Sequence, residues 1–274
     1  RAGKTAALGR AVGEARGEVV VFSDANSLYA PDALRKLVRN FADPDVGYVT
    51  GKMVYVNDAD STIGESCSAF MRYENLLRRL ETRAGSIVGV DGGIDAVRRH
   101  LYRPIRPDQL PDFVLPLKVI EQGYRVVYEP EAILREPALD NPQDEYKMRV
   151  RVALRALWAL HDMRHLLQPG RWGFFALQLW SHKGLRYLGF VFLAGAWFSN
   201  LLLAGAGPLY ALLFAAQTGA YAAAVLAPYL ERRNLRNRLV YYCHYFALLN
   251  LSSAHAFLKF LLGEKRVLWT PRKG

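Results

Sequence analysis

Asp24 and Asn26 stand one residue apart, directly after the apolar run Val19–Val20–Val21–Phe22 and Ser23. The run reads as a strand by its β-branched residues. Side chains two apart in an extended segment point the same way. A carboxylate and an amide oxygen could therefore meet one hard cation. Mg²⁺ or Mn²⁺ takes oxygen ligands, often one or two from protein and the rest from phosphate and water. The spacing suits a metal that joins a diphosphate to the chain. The same residues would serve equally as a plain turn, since Ser, Asp and Asn all turn well. Two other patterns are weaker. His161 and His165 have metal-ligand spacing, but no HExxH surrounds them, and they read as the polar face of a basic helix. Cys67 and Cys243 lie far apart without a CxxC, so neither a disulfide framework nor a zinc site is indicated, and a reducing compartment is the default.

The elements around Asp24 set its meaning. Short apolar runs alternate with helical patterns up to about residue 137, which argues for an α/β class built on a layered sheet. A helix after Pro31 would place Leu34, Leu37, Val38 and Phe41 on one face. "VGYVTGKMVYV" supplies one or two strands, Ser61 to Arg83 a long amphipathic helix, and "SIVGVDGG" a strand and a glycine turn. "LPDFVLPLKVIEQG" is a helix stopped by Gly123, and "YRVVYEP" is a strand. Ligands of open α/β sheets bind outside the carboxyl ends of the strands, where Asp24 and Asn26 would lie.

The second half has a different character. The 274 residues are 51% hydrophobic yet carry a formal charge of +11. Residues 144–166 read as a basic helix, and "GRWGFFALQLWSHKGLR" as an aromatic and basic interface segment. The stretches 187–206 and 208–230 carry no charge, and each has about the ~20 residues that span a bilayer core. Residues 240–262 form a third candidate, interrupted by His244, Asn250, His255 and Lys259. Arg171, Lys183 and Arg186 before the first span and "ERRNLRNR" after the second would keep the α/β part cytoplasmic. A third span would put "GEKR" and "RKG" outside, against that tendency. The expectation is a multi-pass protein of the cell (inner) membrane, with parts 1–140, 141–186 and 187–274, the last holding two or three spans. Because the basic residues cluster beside apolar spans, a nucleic-acid partner is not expected.

"SDAN", "VDGGIDAVRR" and "LPDFVLPLKVIEQGYRVVYEPEA", followed by a basic helix and membrane spans, resemble the membrane-bound family-two glycosyltransferases. That group includes hyaluronan, chitin, cellulose and poly-N-acetylglucosamine synthases. The resemblance covers essentially the whole chain; it rests on the ordered set and not on any single motif. It implies a GT-A fold, a nucleotide-sugar donor (commonly a UDP-sugar) and inverting transfer to a glycan. The family's D-x-D motif implies metal binding by Asp24 and, with an amide in place of the second carboxylate, Asn26. Its acceptor-side acid falls on Asp112, the implied base, although Pro111 stands where the family has another acid; Asp112 could also simply cap its helix. Asp108 reads as a turn residue. Asp91, Gly92 and Gly93 match the turn beneath the acceptor sugar. Lys4, with Arg1 behind it, matches the segment that approaches the donor phosphates. Arg149 and Arg151 take the place of the arginine that faces the departing diphosphate, and could equally bind lipid headgroups.

The Q-x-x-R-W of processive members is missing, which leaves single-sugar transfer to a lipid, as in ceramide glucosyltransferase-like relatives, as an alternative. A non-catalytic membrane subunit of a glycan export system is a further one. The chain opens at Arg1 without the strands that hold the donor's base in this family. It is therefore expected to be truncated at the N-terminus and, by itself, to bind donor poorly and be inactive.

Overall fold

The computed structural model describes residues 3–56, 62–137, 142–233, 235 and 237–265. Arg1, Ser61 and the "RKG" tail named above lie outside them. The expected α/β sheet forms, with five strands. Its order is β1 (Val19–Ser23), β4 (Ile94–Arg98), β3 (Val46–Val56), β5 (Arg125–Pro137) and β2 (Leu28–Tyr29). β3 and β5 run parallel, while β4 is antiparallel to both β1 and β3, and β2 is antiparallel to β5. The sheet is thus mixed.

One face is covered by α1 (Gly3–Glu14) and α4 (Pro111–Glu121), whose Val12, Phe113 and Leu117 pack on Phe22, Tyr48, Val97 and Val126. On the other face α2 (Ala33–Arg39) buries Ala33 and Leu37 against Val49, Ala96 and Leu134. This corrects the expected helix face: Leu34 and Val38 are exposed, because the helix starts at residue 33 behind Asp32 and presents the 33/37 stripe inward. Burial of a Leu or Val of this kind stabilises by about 1.5–3 kcal/mol.

Residues 46–56 form one long strand, within the expected one or two. One further expectation changes. Residues 86–93 form no strand: Ile87 N donates to Val126 O, and from Val88 onward side chains take over the backbone groups, as described below. Gly123 does stop α4, with φ at +85°.

The long α3 (Thr62–Ala84) lies along the sheet and leads to the 86–93 segment. The rest is helical: α5 (Pro142–Asp162), α6 (Pro169–Leu179), a π-helical turn Trp180–Gly184, α7 (Leu185–Tyr187), α8 (Gly189–Leu203), α9 (Pro208–Arg232) and α10 (Arg238–Leu261). α10 packs against α5 through Ala256, Val150, Leu154 and Leu157. Among the described residues one helix, Pro208–Arg232, is long and apolar enough to cross a membrane, with mean hydropathy 1.5. A second span arises only if Pro169–Tyr187 and Gly189–Leu203, bent by 64°, count as one. At ~1.5 Å per residue, α8 alone would reach only about 22 Å.

Gly47 shows how tightly α4 is seated. A Cβ there would lie 2.6 Å from both Leu101 Cδ1 and Val119 Cγ1 and 2.7 Å from Tyr124 Cβ. Gly47→Ala should therefore lower stability by about 1–3 kcal/mol through overpacking, measured by thermal unfolding of the detergent-solubilised protein.

Candidate active site

Three residues read separately from the sequence meet at one point. The Lys4 ammonium lies 2.6 Å from Asp24 Oδ1 and 3.7 Å from Asp112 Oδ1, and donates to the Gly92 carbonyl at 3.5 Å. α1 brings Lys4, the end of β1 brings Asp24, and the first turn of α4 brings Asp112. The N-cap position of α4 is Leu110, so Asp112 sits inside the first turn and not at the expected cap. Pro111 in the first turn is a common helix opener, since its missing N–H would have had no partner there.

Gly92 makes this approach possible. Its φ is +82°, and a Cβ would fall 2.3 Å from Asp112 Cγ. Only glycine leaves that space. Gly93 is equally confined: a Cβ there would stand 2.7 Å from Leu134 Cδ2 and 3.1 Å from Glu136 Oε1.

The charges sharpen one another. Burial alone would lower the Lys4 pKa, but Asp112 and Asp24 outweigh it and hold the ammonium above the ordinary lysine value. Burial raises the Asp112 carboxyl above the usual range; Asp24 adds to this, while Lys4 and Arg155 oppose it. Asp95, fully buried on β4, accepts from the Tyr48 hydroxyl at 3.1 Å. Burial, joined by the charges of Asp112 and Asp91, pushes it up to about 7.

Asp91 needs correction. The resemblance assigns it to an acceptor hydroxyl, but its side chain is 4% exposed and 2.7 Å from Arg78, and its other oxygen accepts from Met53 N at 3.3 Å. Both oxygens are committed inward, so Asp91 shapes the turn that carries the buried Gly92 and Gly93. Arg149 is also engaged elsewhere: it binds Glu145 at 2.7 Å and the Tyr245 hydroxyl at 2.8 Å, and lies over the Phe70 ring. Arg151, two residues on, points about 200° around the helix from Arg149, so the pair cannot face one diphosphate together. The α5 arginine beside Asp112 is Arg155, which donates to the Gln109 carbonyl just before α4. Thr5 Oγ1 of α1 donates to that same carbonyl. Helical periodicity could have found Arg155, since it lies on the inward stripe with Val152 and Ala159. His165 lies beyond the end of α5, in the short 3-10 turn Arg164–Leu167, and pairs with Glu121 of α4, so the expected helix face with His161 does not form; Asp108 binds Arg106 and Lys265 in its turn.

Asp24 is half-buried and Asn26 exposed, and Ser27 beside them donates to Glu136 at 2.6 Å. The donors here are all hard oxygens, and Asp24 already holds one cation, the Lys4 ammonium. The segment from Asp24 to Ser27 is a turn, closed by Ser27 N donating to the Asp24 carbonyl at 3.2 Å, so Asp24 and Asn26 do not share an extended face, and the hard-oxygen character of Asp24 is what suits a divalent ion. Among the described residues no group of three or more His, Cys, Asp or Glu side chains could hold a metal. Protein supplies few ligands, so phosphate and water must supply the rest, as Mg²⁺ commonly requires.

Residues 1–106 match the model of the family described as Glycosyl transferase family 2. The N-acetylglucosaminyltransferase of Rhizobium meliloti (strain 1021) is 26% identical over 166 residues, 55% of this chain and 38% of that protein. That of Rhizobium leguminosarum bv. viciae is 28% identical over 138 residues, 45% of this chain and 32% of the relative. The matches thus span about a third of these relatives' length. The mannosyltransferase PcManGT from Pyrobaculum calidifontis, solved with GDP-Man and Mn²⁺, superimposes with a TM-score of 0.60 at 24% identity. That superposition covers 96% of this chain and 68% of the mannosyltransferase. Residues 1–106 are thus similar to family 2 glycosyltransferases, and the chain shares the fold of the mannosyltransferase.

Asp95 yields a test of the site's electrostatics. Its folded pKa of about 7 exceeds the ordinary 3.8, so between these values the native state holds more protons than the unfolded one. Stability should then fall as pH rises from 4 to 7. Asp95→Asn should remove this slope and raise stability at pH 8 by on the order of a few kcal/mol, read from denaturant unfolding at both pH values.

Proposed function

We propose that this chain is the catalytic and membrane-entering part of an inverting glycosyltransferase. It moves a sugar from a nucleotide-sugar donor, a UDP-sugar, to a growing glycan at the inner membrane. The observation that carries this reading is the convergence of Lys4, Asp24 and Asp112 over the Gly92 backbone. The names of the rhizobial relatives support N-acetylglucosamine as the sugar.

Each residue then has a task. Lys4 lies within reach of both carboxylates and offers its ammonium to the donor's phosphates. Asp24 and Asn26 would hold a Mg²⁺ or Mn²⁺ ion, which would supply further charge neutralisation on the leaving diphosphate. Asp112 takes the proton of the acceptor hydroxyl as that oxygen attacks the anomeric carbon. Gly92 and Gly93 let the acceptor ring lie close to the backbone. Arg155 holds the loop before α4 and favours the ionised form of Asp112. Single-sugar transfer to a lipid is the second reading, favoured by the missing Q-x-x-R-W, and a panel of glycan and lipid acceptors separates the two.

The test uses full-length protein with UDP-N-acetylglucosamine. Asp112→Asn keeps size and shape but cannot accept a proton, so turnover should fall ~10²–10⁴-fold while donor affinity stays within a few-fold. Asp24→Ala should instead abolish the divalent-ion dependence of donor binding by calorimetry. Normal turnover in Asp112→Asn would remove the proposed base.

The same reading puts α8 and α9 across the membrane with the α/β domain in the cytoplasm. α9 supports it by turning Leu209, Leu212, Val225 and Leu226 outward and ending at Arg232 and Arg233. Reporter fusions after residue 207 should read periplasmic, and fusions after residue 235 cytoplasmic. Release of the intact chain from membranes by alkaline carbonate would contradict the placement.

A further inference from the structure

Lys183 and Arg186, which precede an apolar stretch as headgroup-binding charges would, are turned into the protein. Arg186 Nη1 lies 2.6 Å from Glu74 Oε1, and His182 Nε2 lies 3.3 Å from Glu74 Oε2. His182 Nδ1 lies 2.7 Å from Glu81 Oε1. Glu74, Glu81 and His182 are each under a tenth exposed. Burial would raise Glu74, but the hydrogen bond from His182 and the charges of Lys183 and Arg186 hold it far below the usual carboxylate range. Lys183 lies against Gly89, whose Cβ would stand 2.7 Å from its Nζ, and beside the Phe113 ring.

The inward face of α3 continues these contacts to residues 87–93. The second Glu81 oxygen accepts from Val88 N at 3.3 Å. Arg78 donates from Nε to the Gly89 carbonyl at 3.3 Å and from Nη1 to Asp91 at 2.7 Å. Asp91 N reaches Thr50 Oγ1 at 3.4 Å. This segment lacks a strand ladder, so buried side chains hold its backbone. Those side chains are charged, and each needs its partner, since an uncompensated buried charge is far costlier than a paired one.

We propose that His182 and Arg186 are positioning residues of the transfer site. They pin the Glu74–Arg78–Glu81 face of α3, which in turn sets the shape of the 88–93 turn under Asp112 and the acceptor. The acceptor assignment rests on the function proposed above; the mechanical link does not. Because the same segment runs directly into α8, the turn's shape is tied to the seating of the membrane-entering helix. None of these residues touches the reacting atoms, so their effect passes through the turn.

The experiment uses full-length protein in lipid nanodiscs, with His182→Ala, His182→Gln and the neighbouring control Ser181→Ala. Amide hydrogen exchange over residues 88–91 should quicken about tenfold in His182→Ala, less in His182→Gln, and not at all in Ser181→Ala. Affinity for UDP-N-acetylglucosamine should stay within about threefold, while kcat/KM for the acceptor falls roughly 10²-fold, as for a small misplacement of a bound reactant. Unchanged exchange at 88–91 overturns the proposal. So does an equal loss of protection across α1 and β1 together with donor affinity, which would mark general destabilisation. If His182→Ala does not fold, His182→Gln, which keeps a donor for one carboxylate, decides by the same exchange measurement. If the wild type transfers no sugar, the functional reading fails, yet the exchange result still settles the link.

Discussion

One ammonium between two carboxylates organises this protein. Asp24 and Asp112 come from opposite ends of the α/β part, and the charge of Asp24 helps raise the Asp112 carboxyl. Lys4 is the charge that lets both sit at the same mouth. For Lys4 to arrive there, α1 must dock on the face shared with α4. Val12 anchors α1 in the core, and Thr5 ties it to the Gln109 carbonyl, the turn from which α4 begins. Arg155 grips the same carbonyl from α5. Three helices are thus fixed relative to one another around a single backbone oxygen next to Asp112. The absent Cβ of Gly92 completes the constraint, because any side chain there would occupy the carboxylate's own volume.

The helical half is part of the site's construction. A turn such as 88–93 has no neighbouring strand to satisfy its backbone groups, so it depends on Arg78, Glu81 and Thr50. Buried ionic side chains hold a shape well only while every partner is present. The partners of Glu74 and Glu81 come from the π-helical turn and from α7, which lead into α8. The α/β part and the segment that leads into α8 therefore share one electrostatic network. Asp95 lies below this arrangement as a carboxyl whose burial makes stability respond to pH.

What the sequence by itself determined was whatever short-range physics controls. The β-branched run before Asp24 could only be a strand, Gly123 could only end its helix, and the uncharged length of α9 made it an apolar helix in any fold. Candidate chemistry was legible too: Asp24, Asp112, Lys4 and Gly92 were singled out before any geometry, and the fold brought them together. The tertiary structure alone decided which charges face inward. Asp91 reads as a free carboxylate until Arg78 covers it from a helix thirteen residues earlier. Arg155 reads as one arginine among several until α5 docks and selects the one facing Gln109. His182, Lys183 and Arg186 read as a membrane-facing cluster until α3 supplies buried carboxylates. The period of a helix or strand fixes which residues share a face. It does not fix what that face meets, because the partner can lie more than a hundred residues away and its approach is set by packing of the whole core.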